Sequence, residues 1–233
     1  MTTPPLSAPT LFTPSELRAD AIITASITRL VNDAFLRSHK HDPVKWDCTD
    51  LRFATLESYY QMLGEKSVVA LIFDDDTTPE EGKQGLERNR SVDGKWAGKK
   101  VVACATAVPW KGGWTKEGAE TERGWEMKAV CVDGSAKYAR RGLAVQLLQF
   151  LEQRLINIEQ SKLGFQKRVG ENEERAQGNL NLWILAAECL NGDYWRKRGY
   201  QEVRRSTQGA GVWGCQTSFE IVVLRKDVPF ELK

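Results

Sequence analysis

Apolar positions along the chain change their period several times, and each change predicts an element. From Ser15 to about His39, Leu17, Ile22, Ile23, Ile27, Leu30, Val31, Ala34 and Phe35 recur at helical spacing, with Ser15 as the expected N-cap. "TLESYYQMLGEK" (55–66) predicts a second helix capped by Thr55. Three β-rich runs follow, "SVVALIFDDD" (67–76), "KVVACATAVPW" (100–110) and "WEMKAVCV" (125–132), separated by stretches rich in glycine and charge that read as loops. After Gly142 the period returns to that of a helix, with Ala144, Leu147, Leu148, Leu151, Leu155 and Ile158 on one stripe to about Glu159. "LNLWILAAE" (180–188) is a continuous apolar strand of the kind covered on both faces. "NGDYWRKRGY" (191–200) predicts a short helix stopped by Gly199, and "QEVRRSTQ" with "SFEIVVLRKDV" closes the chain as a hairpin. The expected organisation is a disordered segment over 1–14 and a single domain over 15–233, with insertions at about 77–99 and 160–179.

Charge narrows the function classes. The 33 basic and 31 acidic residues leave a formal charge of +2, so no global field points to nucleic acid or to an anionic membrane. Any anion site has to be local. No apolar run approaches the roughly 18 residues that span a bilayer. The opening, with Pro4, Pro5 and Pro9, has no basic flank followed by an apolar core, so a cytoplasmic protein is expected. Cys48, Cys104, Cys131, Cys189 and Cys215 lie far apart without a CxxC pair and read as thiols in a reducing compartment. His39 and His41 are too few and too poorly spaced for zinc, and no metal is expected.

The candidate chemistry lies where the third β-run hands over to the long helix, in "YARRGLAVQLL" (138–148). A helix beginning near Gly142 exposes amides without intrahelical partners and the positive end of its dipole, which together attract phosphate. Glycine there admits a close approach or a positive φ. Arg140 and Arg141 add fork-shaped cationic donors. The same tripeptide also serves as a solvated helix start, and the flanking strand and helix are what give it weight. No P-loop or GxGxxG competes.

With this order of parts, "ARRGLA" (139–144) resembles the Gln/Arg-x-x-Gly-x-Gly/Ala signature of the general N-acetyltransferase (GNAT) superfamily, with Ala139 in the first place. "GDYWRKRGY" resembles the family's Gly-x-x-Tyr-x-x-x-Gly-Phe/Tyr: Gly192, Gly199 and Tyr200 match, but Trp195 stands at the tyrosine position and Tyr194 precedes it. The resemblance covers roughly Ser15 to Val228. It implies an α/β fold of the GNAT type: a mixed, mostly antiparallel sheet of six to seven strands, flanked by helices and splayed beside a bulge between strands four and five.

It further implies acetyl-CoA as co-substrate and transfer of its acetyl group to a primary amine in a ternary complex. Backbone groups of Val130, Cys131 and Val132 would pair with the pantetheine arm. Amides of Ala139, Arg140, Arg141, Gly142, Leu143 and Ala144 would hold the pyrophosphate, with Lys137 and the two arginines at the outer phosphates and Trp195 beside the coenzyme. An amine of lysine-like pKa, about 10, must lose a proton. Glu126 is the first base candidate, acting through water, and Glu188 the second; Tyr194 is a possible acid. Each of these also has an ordinary structural reading, and Cys131 reads as a small hydrophobe rather than a nucleophile. His39 and His41 fall in the loop that usually borders the acceptor. Trp46, Trp110, Trp114 and Trp125 suggest a flat or apolar acceptor unless they pack under the loops. The expected partner is a small-molecule amine, without nucleic acid or membrane, the protein being a monomer or homodimer. A protein lysine or N-terminal acetyltransferase and a non-catalytic acyl-CoA-binding module remain the alternatives.

Overall fold

The computed structural model describes residues 5–75, 96, 99–167 and 177–231. Most of the expected insertion at 77–99, and residues 168–176 of the second, lie outside the described residues. The chain groups into two compact units: Met1–Thr106 with Ala129–Leu148, and Ala107–Lys128 with Gln149–Lys233.

In the first unit the expected single N-terminal helix is two. Helix α1 (Pro14–Ala19) is capped by Thr13 rather than Ser15, through a capping box with Glu16 and with Pro14 in its first turn. Asp20 then leaves helical geometry (φ −118°, ψ 84°), and its carboxylate accepts from the amides of Ile22 (3.1 Å) and Ile23 (3.0 Å), starting helix α2 (Ala21–His39). Helix α3 (Leu56–Leu63) has Thr55 as its N-cap, as the sequence predicts.

Strand β1 (Thr10–Phe12) corrects the expectation of disorder up to residue 14. It pairs antiparallel with β2 (Val68–Asp74), placing Leu11 opposite Ala70, and buries Phe12 against Phe73. The Ser7 amide donates a hydrogen bond to the Phe73 carbonyl (2.9 Å). Burying an aromatic side chain offsets the entropy of ordering so short a segment. Leu17, Ile23, Ile27, Leu30 and Val31 bring the helical stripes onto Tyr59, Leu63, Val69, Leu71 and Phe73, the core of this unit. Strand β3 (Lys100–Pro109) is buried over almost its whole length, which suits its Val/Ala-rich run.

Strand β4 (Trp125–Val132) has the boundaries read from the sequence, and helix α4 (Leu143–Lys167) runs about two turns beyond the predicted end. In the second unit β5 (Gln177–Ala187) pairs antiparallel with β7 (Phe219–Glu231) from Gln177↔Glu231 to Ala187↔Ile221. Strand β6 (Gln201–Gln208) lies outside β7 at the edge, its exposed positions mostly polar and including the charged Glu202 and Arg205. Between β5 and β6 come a π-helical turn, Glu188–Gly192, and a short helix α5 (Asp193–Arg196). The sheet has seven strands in the order β1-β2-β3-β4-β5-β7-β6, with β4 and β5 parallel where Trp125 faces Leu182 and Glu126 faces Trp183. This α/β architecture is the expected one.

Asp20→Ala removes the cap that separates α1 from α2. The expected cost is about 1 kcal/mol of unfolding free energy, read as a lower urea midpoint with an unchanged m-value.

Candidate functional site

In the first unit the site is built on the second half of β4 and the turn into α4. Trp125, Glu126 and Met127 are buried, whereas every residue from Lys128 to Val132 is partly exposed. The change comes at Ala129, whose φ of 49° puts a non-glycine residue in the left-handed region. Such a kink re-aims the residues beyond it, which is what the resemblance requires of this strand. The strand is left through Asp133, whose amide donates to the Val102 carbonyl (2.8 Å) and whose carboxylate accepts from the Ser135 amide (2.8 Å).

A single coil then follows, in which the amides of Tyr138 and Ala139 both donate to Ser135 O (3.1 and 3.2 Å). Arg140 (φ 60°) and Gly142 (φ 72°) turn left-handed on either side of Arg141. Alternation of backbone hand around consecutive residues turns their N–H groups toward one concavity, an anion-binding nest. The first intrahelical bond runs from Gln146 N to Gly142 O (3.0 Å), so the amides of Leu143, Ala144 and Val145 have no intrahelical acceptor. A Cβ built on Gly142 would meet no atom within 4 Å, so the space beside that residue's Cα is open. Turn, helix dipole and open space together fit a diphosphate.

The same turn is pinned from beneath. Tyr138 is buried and donates its hydroxyl to Asp74 Oδ2 at 2.5 Å, and Lys137 Nζ lies 2.7 Å from the same oxygen. Asp74, at the end of β2, is itself buried. Lys100 Nζ lies 2.9 Å from Asp133, whose carboxyl is pulled up by burial but held below its usual range by Lys100 and the Ser135 amide. Arg37, in the last turn of α2, donates to Val132 O (2.9 Å) and lies where a Cβ on Gly134 would be, 2.4 Å from Nη1.

These contacts revise three expected roles. Lys137 is paired with Asp74 rather than held free for phosphate, the Ala139 amide is consumed inside the turn, and the Val132 carbonyl already has Arg37 as donor. Asp74, Tyr138 and Arg37 were missed because their pairings span tens of residues; the only hint was an apolar run ending in acids.

The second unit holds the candidate acid and bases. Glu126 is 4% exposed, with its carboxylate 3.3 Å from Lys128 Nζ. Glu188 is held by Arg196 through both oxygens, at 2.7 and 2.9 Å, and Arg196 reaches Glu202 as well (2.6 Å). These bonds to Glu188 and Glu202 raise the guanidinium pKa further and make the pair structural. A Cβ on Gly192 would lie 2.6 Å from Glu188 Oε2, so the motif's first glycine makes room for that carboxylate. Trp195 is packed edge-on between Tyr194 (5.0 Å) and Tyr200 (5.4 Å) in the protein interior. The Tyr194 hydroxyl is buried without a hydrogen-bond partner among the described residues, and burial raises its pKa against the opposing charge of Arg198, whose guanidinium lies 3.3 Å from the ring centre.

Trp46, Trp110 and Trp125, expected at the acceptor, are buried and engaged by the protein. Trp46 stacks on His39 in the first unit. Trp110 stacks on Trp183 at 4.7 Å and donates to Glu122, and Trp125 donates to Glu159. His39 is likewise a core residue, its Nδ1 2.9 Å from Asp47 O, while His41 is exposed. Trp114 remains 39% exposed, edge-on to Trp213. Arg204 on β6 ties down the β3–β4 loop, binding Glu117 (2.7 Å), both oxygens of Glu122 (2.5 and 2.9 Å) and Gly112 O (2.9 Å). Among the described residues no three His, Cys, Asp or Glu side chains converge as a metal site needs, and no helix is long and apolar enough to cross a membrane.

No family model and no curated protein matches the chain. Solved structures do. A protein of Acinetobacter baylyi ADP1, provisionally assigned as an acetyltransferase, is 10% identical with a TM-score of 0.51, over 98% of this chain and 94% of its own. FeeM, an N-acyl amino acid synthase from uncultured soil microbes, is 11% identical with a TM-score of 0.50, over 95% and 91%. A GNAT-family acetyltransferase of Streptococcus pneumoniae is 11% identical with a TM-score of 0.48, over 96% and 99%. The chain has the GNAT fold.

The Arg204 clamp sets a pH dependence. Burial pushes the Glu117 carboxyl up, but donors from Arg204, the loop backbone and Thr115 outweigh it and bring its pKa from 4.5 down to about 2. A carboxyl whose folded pKa is depressed stabilises the fold fully above its unfolded pKa and loses that contribution as pH falls through the folded one. The stability advantage of the native chain over Glu117→Gln at pH 7 is therefore expected to shrink between pH 4.5 and pH 2, as followed by urea unfolding along a pH series.

Proposed function

We propose that the protein is an acetyl-CoA-dependent N-acetyltransferase acting on a primary amine, with a small molecule as the first acceptor class and protein lysine or N-terminal amines as the alternative. The observation that carries this reading is the left-handed pair Arg140 and Gly142 at the start of α4, with open space where a Cβ on Gly142 would lie. Arg140, Arg141, Gly142, Leu143 and Ala144 would hold the pyrophosphate, and the half-exposed edge of Val130 and Cys131 would lie along the pantetheine arm. The coenzyme supplies an activated acyl group.

The chain's own residues then have two tasks. The acceptor must be deprotonated, and with both Glu188 oxygens held by Arg196 this role falls to Glu126, on β4 three residues before the kink. The departing sulfur is served by a proton donor, and Tyr194, a phenol whose pKa burial raises above the usual 10, carries its proton at neutral pH. Backbone amides on β4 would stabilise the developing oxyanion. A non-catalytic acyl-CoA-binding module is the second reading, supported by Glu188 being tied into an ion pair and by the interior packing of Trp195.

Titration of acetyl-CoA into native protein and Gly142→Leu tests the nest. The variant both forces a side chain into positive φ and fills the open space, so affinity should fall by at least roughly 100-fold, about 2.7 kcal/mol, with an unchanged circular dichroism spectrum. Undiminished affinity removes the reading. Thiol release against a panel of small amines and peptides separates enzyme from module: binding without turnover favours the module. In an active enzyme Glu126→Gln is expected to lower kcat by about 100-fold or more and to flatten the rise of rate with pH.

A further inference from the structure

We propose that Cys104 and Cys131 form an intramolecular disulfide on exposure to a hydroperoxide, making the β3–β4 pair a thiol modification site. The two sulfurs lie 3.2 Å apart, in contact but unbonded, one on each strand. Both lie within donor range of one acceptor, the Ala129 carbonyl, at 3.1 Å from Cys104 Sγ and 3.6 Å from Cys131 Sγ. The other cysteines are placed differently. Cys48 points to the Trp46 carbonyl, Cys215 to Thr217, and Cys189 is exposed. Disulfide bonding demands cysteines already close in space, and among the described residues this pair alone has sulfur-to-sulfur contact.

Exposure decides the order of events. Cys131 is partly exposed, whereas Cys104 is fully buried and its thiol is pushed well above its usual pKa by the bond to Cys131 and by burial. Cys131 therefore reacts first. Its thiolate attacks the terminal peroxide oxygen, the O–O bond breaks, and the alkoxide leaves as the alcohol with the proton that Cys131 released. Cys104 then attacks the sulfenic sulfur and the S–O bond breaks, so that hydroxide departs with the Cys104 proton as water. Two thiols lose two electrons and the peroxide gains them. Both S–H donors to Ala129 O vanish in the process, at the one left-handed residue of β4. The site does not depend on the acyltransferase reading, although Cys131 belongs to the strand segment assigned there to the pantetheine arm.

The test is peroxide treatment of the reduced, folded protein, followed by alkylation, intact mass and peptide mapping, with a Cys189→Ser chain run in parallel to remove the exposed thiol. The expected product has lost two hydrogens, leaves three of the five cysteines of the native chain open to alkylation, and yields one linked peptide pair carrying Cys104 and Cys131. Dithiothreitol should restore both thiols, and in Cys104→Ser the unresolved Cys131 should proceed to sulfinic acid. Full alkylation after treatment, a different linkage, or sulfinic acid at Cys131 of the native chain overturns the proposal. Coenzyme affinity of the native chain before and after oxidation is a separate reading: weak binding in both forms counts against the transferase and leaves the disulfide standing.

Discussion

A buried carboxylate at the end of β2 holds the candidate site together. Asp74 accepts the Tyr138 hydroxyl and pairs with Lys137, so the turn between β4 and α4 is fastened to the sheet by a group that would be costly to bury alone. A turn with two residues in the left-handed region does not keep its shape on local energetics, because non-glycine residues there are strained. Anchoring one side of that turn lets Arg140 hold φ 60° and keeps the nest preformed, which reduces the ordering cost of binding an anion. The cation that the sequence offers to phosphate is in this sense spent on the architecture.

Strain recurs three residues after Glu126. Ala129 is left-handed inside a strand, and the Cys104 thiol donates to its carbonyl. Thiols are weak donors, and the Ala129 side chain also packs against the core of the first unit. Up to Met127 the strand is core; past the kink it is a half-exposed edge. The kink thus lies close to the boundary between the buried and the partly exposed half of the strand.

Much of this was legible in the residues. The limits of β4 and β6, the Thr55 cap and the start of α4 follow from period, caps and the glycine before the helix, all of them local signals. Strand β1 was not legible because three residues carry no period and the neighbouring prolines suggest disorder. The break at Asp20 left a trace, a spacing of five between Leu17 and Ile22, but only the cap geometry shows that the helix ends there. The tryptophans were misplaced for another reason. Whether an indole in a loop sequence faces solvent or Trp183 is fixed by partners far along the chain, and no short-range pattern records them. Glu188 likewise looked like a free strand-end acid until the π-helical turn brought Arg196 onto it.

The order of strands in the second unit has a consequence for biogenesis. Strand β7 lies between β5 and β6 yet is the last of the three to leave the ribosome, so while the chain is still being made β6 lacks its partner and β5 has only its short parallel pairing with β4. The nascent chain must carry an apolar β5 with its β7-facing side unpaired until some thirty further residues have emerged. Its eleven-residue ladder then closes between segments distant in sequence, a slow kind of contact to form. Chaperone dependence and aggregation during synthesis should therefore centre on β5.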